Sequence, residues 1–357
     1  MFEIEESKKA SLRIKVFGVG GCGCNVINSI IAKGRSEAEF IAVNTGIRGF
    51  DRSLAHVKVQ IGKETTKGRG AGGDPGKGRS AALEDKDILI SCLGEAGVVF
   101  VIAGMGKGTG TGAAPVIASL AKEKGCLTIA AVIKPFYFEG RKRLQNAEEG
   151  IRELEQCVDA LVVISNDKIC PHVQKGTSLL KSFEVVNAAM GKVVAGILDV
   201  ILTRGLINTG IPDLRAIMKK GGRTLVGMGS GRGEGAAVEA AKNAISNPLL
   251  EGTLLDEASG ILVNITGGPS MTLDAIKDAT SLIYEIAPEA NIILGTVIDE
   301  DLEDEVRVTL IAVGVDNKSE QAEGHRVRSW TPHKKPLLFK GSESLLSKKV
   351  ARTSDNL

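Results

Sequence analysis

Residues 104–115 read GMGKGTGTGAAP, with glycine at every second position from Gly104 to Gly112, one lysine at Lys107 and threonines at Thr109 and Thr111. Glycine loses more backbone freedom on folding than any other residue, so such a run needs a physical reason. One reason is chemical. Bare backbone between a strand and a helix brings N–H groups against an anion, and the helix N-terminus adds positive potential. Two more stretches share this character, GVGGCG at 18–23 and KGRGAGGDPGKGR at 67–79. Three such loops in the first half of the chain point to a phosphate-bearing ligand held largely by main chain.

The loops also narrow the ligand. GVGGCG fits the dinucleotide fingerprint GxGxxG, a weak signal on its own. A dinucleotide fold also places an acidic residue at the end of the second strand to bind ribose, and here EFIAVN ends in Asn44. A Walker A loop requires Ser or Thr after its lysine, and glycine follows both Lys77 and Lys107. A nicotinamide-dependent oxidoreductase is thus the weaker alternative, one that a cofactor titration would decide.

The elements that must position these loops follow from hydrophobic periodicity. Strands are expected at 13–17, 39–44, 56–62, 98–104 and 127–133, with helices over VINSIIAKG, 80–94 and APVIASLAKEKG. Strands alternating with helices in this way predict a parallel α/β sheet with helices on both faces and ligand loops at the C-terminal strand ends. Residues 183–203 keep an apolar helical pattern nearly all round, which predicts a long, buried central helix. Beyond it, strands at 224–229, 260–267, 290–299 and 305–315 suggest a smaller α+β domain, the last strand alternating as if half-exposed. The expected organisation is an N-terminal extension (1–12), a phosphate-binding domain (13–182), a central helix (183–204), a second domain (205–316) and a disordered basic tail (317–357).

Composition sets the outer limits. Of 357 residues, 25% are charged and the net charge is only +2, too little to drive nonspecific nucleic-acid binding. Aromatics are 3%, too few for base-stacking platforms, so no nucleic-acid partner is expected. The tail from Asn317 onward holds nine Lys or Arg against four Asp or Glu, leaving a mildly acidic body. Six cysteines without a CxxC pair read as reduced thiols, and no metal site built from protein side chains is expected. No apolar leader or membrane span stands out, so a cytoplasmic protein is expected.

GMGKGTGTGAAP closely resembles the signature loop of the tubulin/FtsZ family. GVGGCGCN, FIAVNT, GRGAGGDPGKGR, KPFYFEGRKR, VVISNDK, SNPLLE and GTVIDEDLEDEVRVT resemble FtsZ segments in the same order, across residues 13–316. The resemblance implies a parallel-sheet GTP-binding domain joined by a long central helix to a smaller α+β domain. It implies a GTPase that binds GTP or GDP, with Mg²⁺ accompanying GTP, and polymerises head to tail into the cell-division ring at mid-cell. It also implies partners: other copies of the chain, a second FtsZ, and membrane-tethering division proteins engaged by the C-terminal tail.

Site residues carry over by position. Gly20, Gly21, Gly23 and Asn25 would form the first phosphate loop, with Asn44 and the Ala71–Gly72 segment beside the phosphates. The signature loop contributes Gly106, Lys107, Gly108, Thr109, Gly110, Thr111 and Gly112, with Gly108 to Gly110 around the β and γ phosphates. Glu139 and Arg143 would hold ribose and phosphate, and Asn166, Phe183 and Asn187 would frame the guanine. Without the resemblance, Phe183 reads as a core aromatic.

In this family hydrolysis is completed by a loop of the next subunit, here LINTGIPDLRAIM at 206–218. Asn208 and Asp213 match the family's Asn-x-Asp-x-x-Asp pattern as catalytic residues, whereas Gly210 replaces the first aspartate. A weakly or non-hydrolysing paralogue that co-assembles with a standard FtsZ is therefore the alternative. Lys107 is a second departure, since the family has glycine there; the side chain either adds a cation beside the phosphates or faces solvent or a neighbouring subunit. The tail segment PLLFKGSESLLSKKVAR only loosely matches the family's docking peptide. Cys22 and Cys24, which flank Gly23, either fill small spaces or, beside a phosphate loop and a helix N-terminus, have a lowered pKa and are redox-sensitive.

Overall fold

The computed structural model describes residues 13–34, 37–174, 176–202, 206, 211–218, 223–247, 249–250 and 255–315. The ten described strands are β1 (Ile14–Val19), β2 (Glu39–Asn44), β3 (Val57–Gln60), β4 (Val98–Gly104), β5 (Leu127–Lys134), β6 (Ala160–Ser165), β7 (Arg223–Arg232), β8 (Gly260–Gly267), β9 (Asn291–Ile298) and β10 (Glu305–Val315). They form one sheet in the order β3-β2-β1-β4-β5-β6-β7-β10-β8-β9. β1 to β6 run parallel, as the alternating pattern predicts. β7 joins β6 through only two residue pairs, Leu161 with Arg223 and Val162 with Thr224. β10 is antiparallel to both β7 and β8, and β8 and β9 are parallel.

Strands covered on both faces need continuous apolar sequence, and VVFVIAG supplies it, with Val98 to Ala103 all buried. The helices are α1 (Gly20–Ile31), α2 (Lys63–Thr66), α3 (Pro75–Glu84), α4 (Lys86–Leu93), α5 (Thr109–Glu123), α6 (Arg141–Cys157), α7 (Asn166–Ile169), α8 (Leu179–Leu202), α9 (Ile211–Met218), α10 (Ala236–Ile245) and α11 (Leu273–Ile286). One apolar cluster joins α1 and α8 to the sheet, a second joins α3, α4, α5 and α6 to it, and a third lies under α10 and α11.

Several boundaries differ from the sequence expectation, in one direction. α1, α3 and α5 begin inside the glycine-rich stretches, at Gly20, Pro75 and Thr109, rather than after them. Intrinsic propensity argues against helical glycine, but at Gly23, Gly78, Gly110 and Gly112 neighbouring backbone sits too close for any side chain, and tertiary packing overrides propensity. The expected helix 80–94 is divided at Asp85, whose carboxylate leaves the helical path to accept the Gly62 N–H at 2.7 Å.

The central helix begins four residues earlier than its apolar run. α8 has the length and hydropathy of a membrane span, but half of that stretch is buried in the protein. Gly191 packs against Ser29 of α1, and Gly196 against Met228 of β7 and Thr309 of β10. That contact covers Thr309, and Ile311 to Val313 are fully buried, so β10 alternates only in its first half. A strand paired on both sides and covered by helices on both faces cannot stay half-exposed.

Candidate functional site

The strand order reverses direction at β1, whose neighbours are β2 and β4. α1 and α5 leave the adjacent strands β1 and β4 there and begin side by side, and a parallel sheet opens its ligand crevice at such a point. A cavity of about 460 Å³ occupies it. No side chain caps α1 or α5, so first-turn N–H groups of both helices are offered toward the same space.

The loop 104–110 forms one wall. Gly106 holds φ at +94°, a conformation that L side chains rarely adopt, and its N–H donates to the Thr111 hydroxyl at 2.8 Å. Thr109 Oγ1 lies 2.7 Å from Thr45 Oγ1, which ties the start of α5 to the end of β2. Ala71, Gly72 and Gly73 face this loop, and Asp74 then caps α3 by accepting the Gly76 N–H at 2.9 Å, with Pro75 at the first helical position. Ile133, Pro135, Phe183 and Val186 form an apolar wall elsewhere in the cavity.

Most of the residues expected from sequence line this cavity: Gly20, Gly21, Asn25, Ala71, Gly72, Lys107, Gly108, Thr109, Gly110, Glu139, Asn166, Phe183 and Asn187. Others stand behind it. Gly23 packs under the loop against the Ile102 carbonyl. Asn44 is buried and accepts the Thr45 N–H at 2.9 Å, shaping the chain that carries Thr45. Thr111 supports Gly106, and Gly112 packs against α3. Arg143 donates to Glu139 at 2.6 Å, while Glu139 also accepts the Phe136 N–H at 3.1 Å, so the arginine orients the carboxylate. Phe183 lines the cavity and also meets Phe136 edge-on, with ring centroids 5.6 Å apart.

Asp213 is exposed in the first turn of α9 and does not line the cavity of its own subunit. Asn208, Gly210 and the C-terminal tail lie outside the described residues. Apart from Phe183, the apolar wall carried no sequence signal, because Ile133 and Val186 look like any core residue until the strand and helix meet.

Two features give the cavity its chemistry. Asn166 Oδ1 is buried and has no hydrogen-bond partner among the described residues. An unsatisfied buried acceptor on a cavity wall costs free energy that a ligand donor would recover. Lys107 and Glu139 are the ionisable side chains on the wall besides Cys22, and Glu139 is already paired with Arg143.

Cys22 sits between the walls, its thiol 4.0 Å from Asn187 Oδ1. Burial pushes this thiol up to about 12, with Lys107 opposing and Glu139 adding a little. Burial likewise raises Cys24 to about 12. Both thiols are therefore protonated at neutral pH and act as space-filling groups. Iodoacetamide should label Cys22 at pH 8 at least about tenfold more slowly than the exposed Cys170. Peptide mass spectrometry over time measures this, and equal rates would contradict the burial argument.

The GTPase-domain model of the Tubulin/FtsZ family matches residues 13–174, and the FtsZ family C-terminal domain matches residues 222–316. Among solved structures, an empty FtsZ dimer from M. jannaschii is 37% identical with a TM-score of 0.80, over 86% of this chain and 89% of that one. CetZ2 from Haloferax volcanii, in a GTPγS-bound protofilament, is 22% identical with a TM-score of 0.77, over 88% and 96%. CetZ1 from the same organism, a GDP-bound monomer, is 22% identical with a TM-score of 0.76, over 87% and 97%. The two CetZ matches share the fold.

Proposed function

This chain belongs to the tubulin/FtsZ family of GTPases, and from that premise we propose that it binds GTP and GDP in the cavity between α1 and α5 and polymerises head to tail. The observation that carries this is the meeting, in one cavity, of two uncapped helix N-termini with the buried, unpaired Asn166 Oδ1. The first can hold a polyphosphate, and the second can accept from an N–H of a purine edge.

The roles then follow from chemistry. Backbone N–H groups at the starts of α1 and α5 hold the phosphates, and the Thr109 hydroxyl adds a side-chain donor. Glu139, held by Arg143, accepts from ribose hydroxyls. Phe183 and Val186 bury one face of the base while Asn166 and Asn187 bond its edge. Magnesium bound with the triphosphate would neutralise charge on the phosphate oxygens, and Thr109 and Asn25 offer the hard oxygen donors it accepts.

Hydrolysis needs a water held in line with the terminal phosphate by a carboxylate. The cavity's own carboxylate, Glu139, is engaged by Arg143 and the Phe136 N–H, so we assign that work to Asp213 of the next subunit, assisted by Asn208. Exposed Tyr137, Phe138, Leu179 and Leu180 on one side and, on the other, Leu206, whose N–H donates to Thr296 of β9, and Leu273 of α11 suit such a contact. The resulting protofilament would act in the cytoplasm, in the division ring, with membrane-tethering partners for the tail. A weakly or non-hydrolysing paralogue is the second reading, favoured by Gly210 in place of a carboxylate.

GTP turnover per subunit, followed as protein concentration rises with Mg²⁺ and K⁺ present, tests the proposal. A threshold followed by rising specific activity is expected from a site completed between subunits. Flat, negligible turnover despite GTP binding would move the conclusion to the non-hydrolysing paralogue.

A further inference from the structure

We propose that Lys107 is a specificity-determining residue that binds the terminal phosphate of the nucleoside triphosphate and lets this chain distinguish GTP from GDP without a divalent cation. The inference rests on the reading of the cavity as a nucleotide site. Its physical basis is the placement of one unmatched cation. Lys107 is exposed on the cavity wall between two buried residues, Gly106 and Gly108, and the next residues, Thr109 and Gly110, line the same wall. No ion-pair partner of Lys107 stands among the described residues. The other cations close by are committed, Arg143 to Glu139 and Lys134 to Glu148.

The surroundings make that cation costly without an anion. Its own loop leads into the N-terminus of α5, and Cys22, whose thiol feels the Lys107 charge, lies in the first turn of α1. Helix N-termini carry partial positive charge and repel a neighbouring ammonium. A ligand that brings negative charge relieves all three at once, and the ligand with more charge at the glycine wall relieves them more. If the base is held by Phe183, Asn166 and Asn187, the phosphates fall against 71–73 and 107–110. GTP and GDP differ there by one phosphate. Lysine, a compact point charge on a flexible stem, can follow that group where an arginine fork would demand fixed geometry.

Binding is measured on the full chain by isothermal titration at concentrations where sedimentation shows monomers. GTP and GDP are titrated into the parent chain, Lys107→Gly and Lys107→Arg, first in EDTA and then with Mg²⁺. In EDTA the Lys107→Gly chain should lose about tenfold in GTP affinity and less than about twofold for GDP, with Lys107→Arg between it and the parent. Mg²⁺ should narrow the gap, because it supplies the same charge to the same oxygens. Circular dichroism checks the fold, which glycine at an exposed loop position leaves intact. Equal losses for GTP and GDP, or none for either, would overturn the assignment of Lys107 while leaving the nucleotide site standing. Absence of binding of either nucleotide to the parent chain would overturn both.

Discussion

Asp213→Ala lowers GTP turnover by about two to three orders of magnitude, the scale on which removing one group that acts on the reacting centre is felt. GTP binding by dilute subunits stays within about twofold of the parent, because Asp213 does not line the cavity of its own subunit. The two halves of this expectation separate a trans-acting carboxylate from a structural one. A residue that merely held α9 in place would change stability and assembly together. A further readout is complementation. Mixing Asp213→Ala with a chain whose cavity no longer binds nucleotide should restore part of the turnover, since one of the mixed contacts joins an intact cavity to an intact Asp213. Unchanged turnover in Asp213→Ala, or no recovery on mixing, would remove Asp213 from catalysis. If one carboxylate limits the rate, Gly210→Asp should raise turnover above the parent.

Gly112→Val is expected to cost about 3 kcal/mol or more of stability, at the upper end of what overpacking does. Any Cβ on Gly112 overlaps the Pro75 carbonyl and crowds the Arg79 N–H, so α5 must move away from α3. Backbone on both sides leaves no flexible side-chain end to yield. α5 also carries Thr109 and Gly110, so nucleotide affinity should fall along with the melting temperature. Gly21→Ala is the matching control: its Cβ would meet nothing within 4 Å, yet Gly21 lines the cavity. Thermal unfolding should leave Gly21→Ala near the parent and lower Gly112→Val by several degrees or more. Equal melting temperatures for all three chains would refute the packing argument.

The glycine run therefore has a packing cause beside the anion-binding one proposed for it, and only the second could be read from the sequence. Alternating glycines between a strand and a helix were legible as an anion cradle, because few other uses explain bare backbone there. The close approach of α3 to α5 was not legible. It arises when Pro75–Glu84 folds onto Thr109–Glu123, segments that neither periodicity nor motif connects. The same physics accounts for the early starts of α1, α3 and α5, since propensity disfavours helical glycine and packing against backbone demands it.

What the sequence determined by itself was the alternation of apolar runs that makes a parallel sheet, and the positions of the glycine loops that follow β1 and β4. Both are local, because a buried strand must be apolar along its length and the glycine spacing is written in the chain. The tertiary structure alone decided that Arg143 serves Glu139 rather than the cavity, that Asn44 works through Thr45, and that Asn166 Oδ1 is buried without a partner. It also decided that Ile133, Pro135 and Val186 form the apolar wall. These are properties of distance between residues far apart in the chain, and such distances are set when the elements pack.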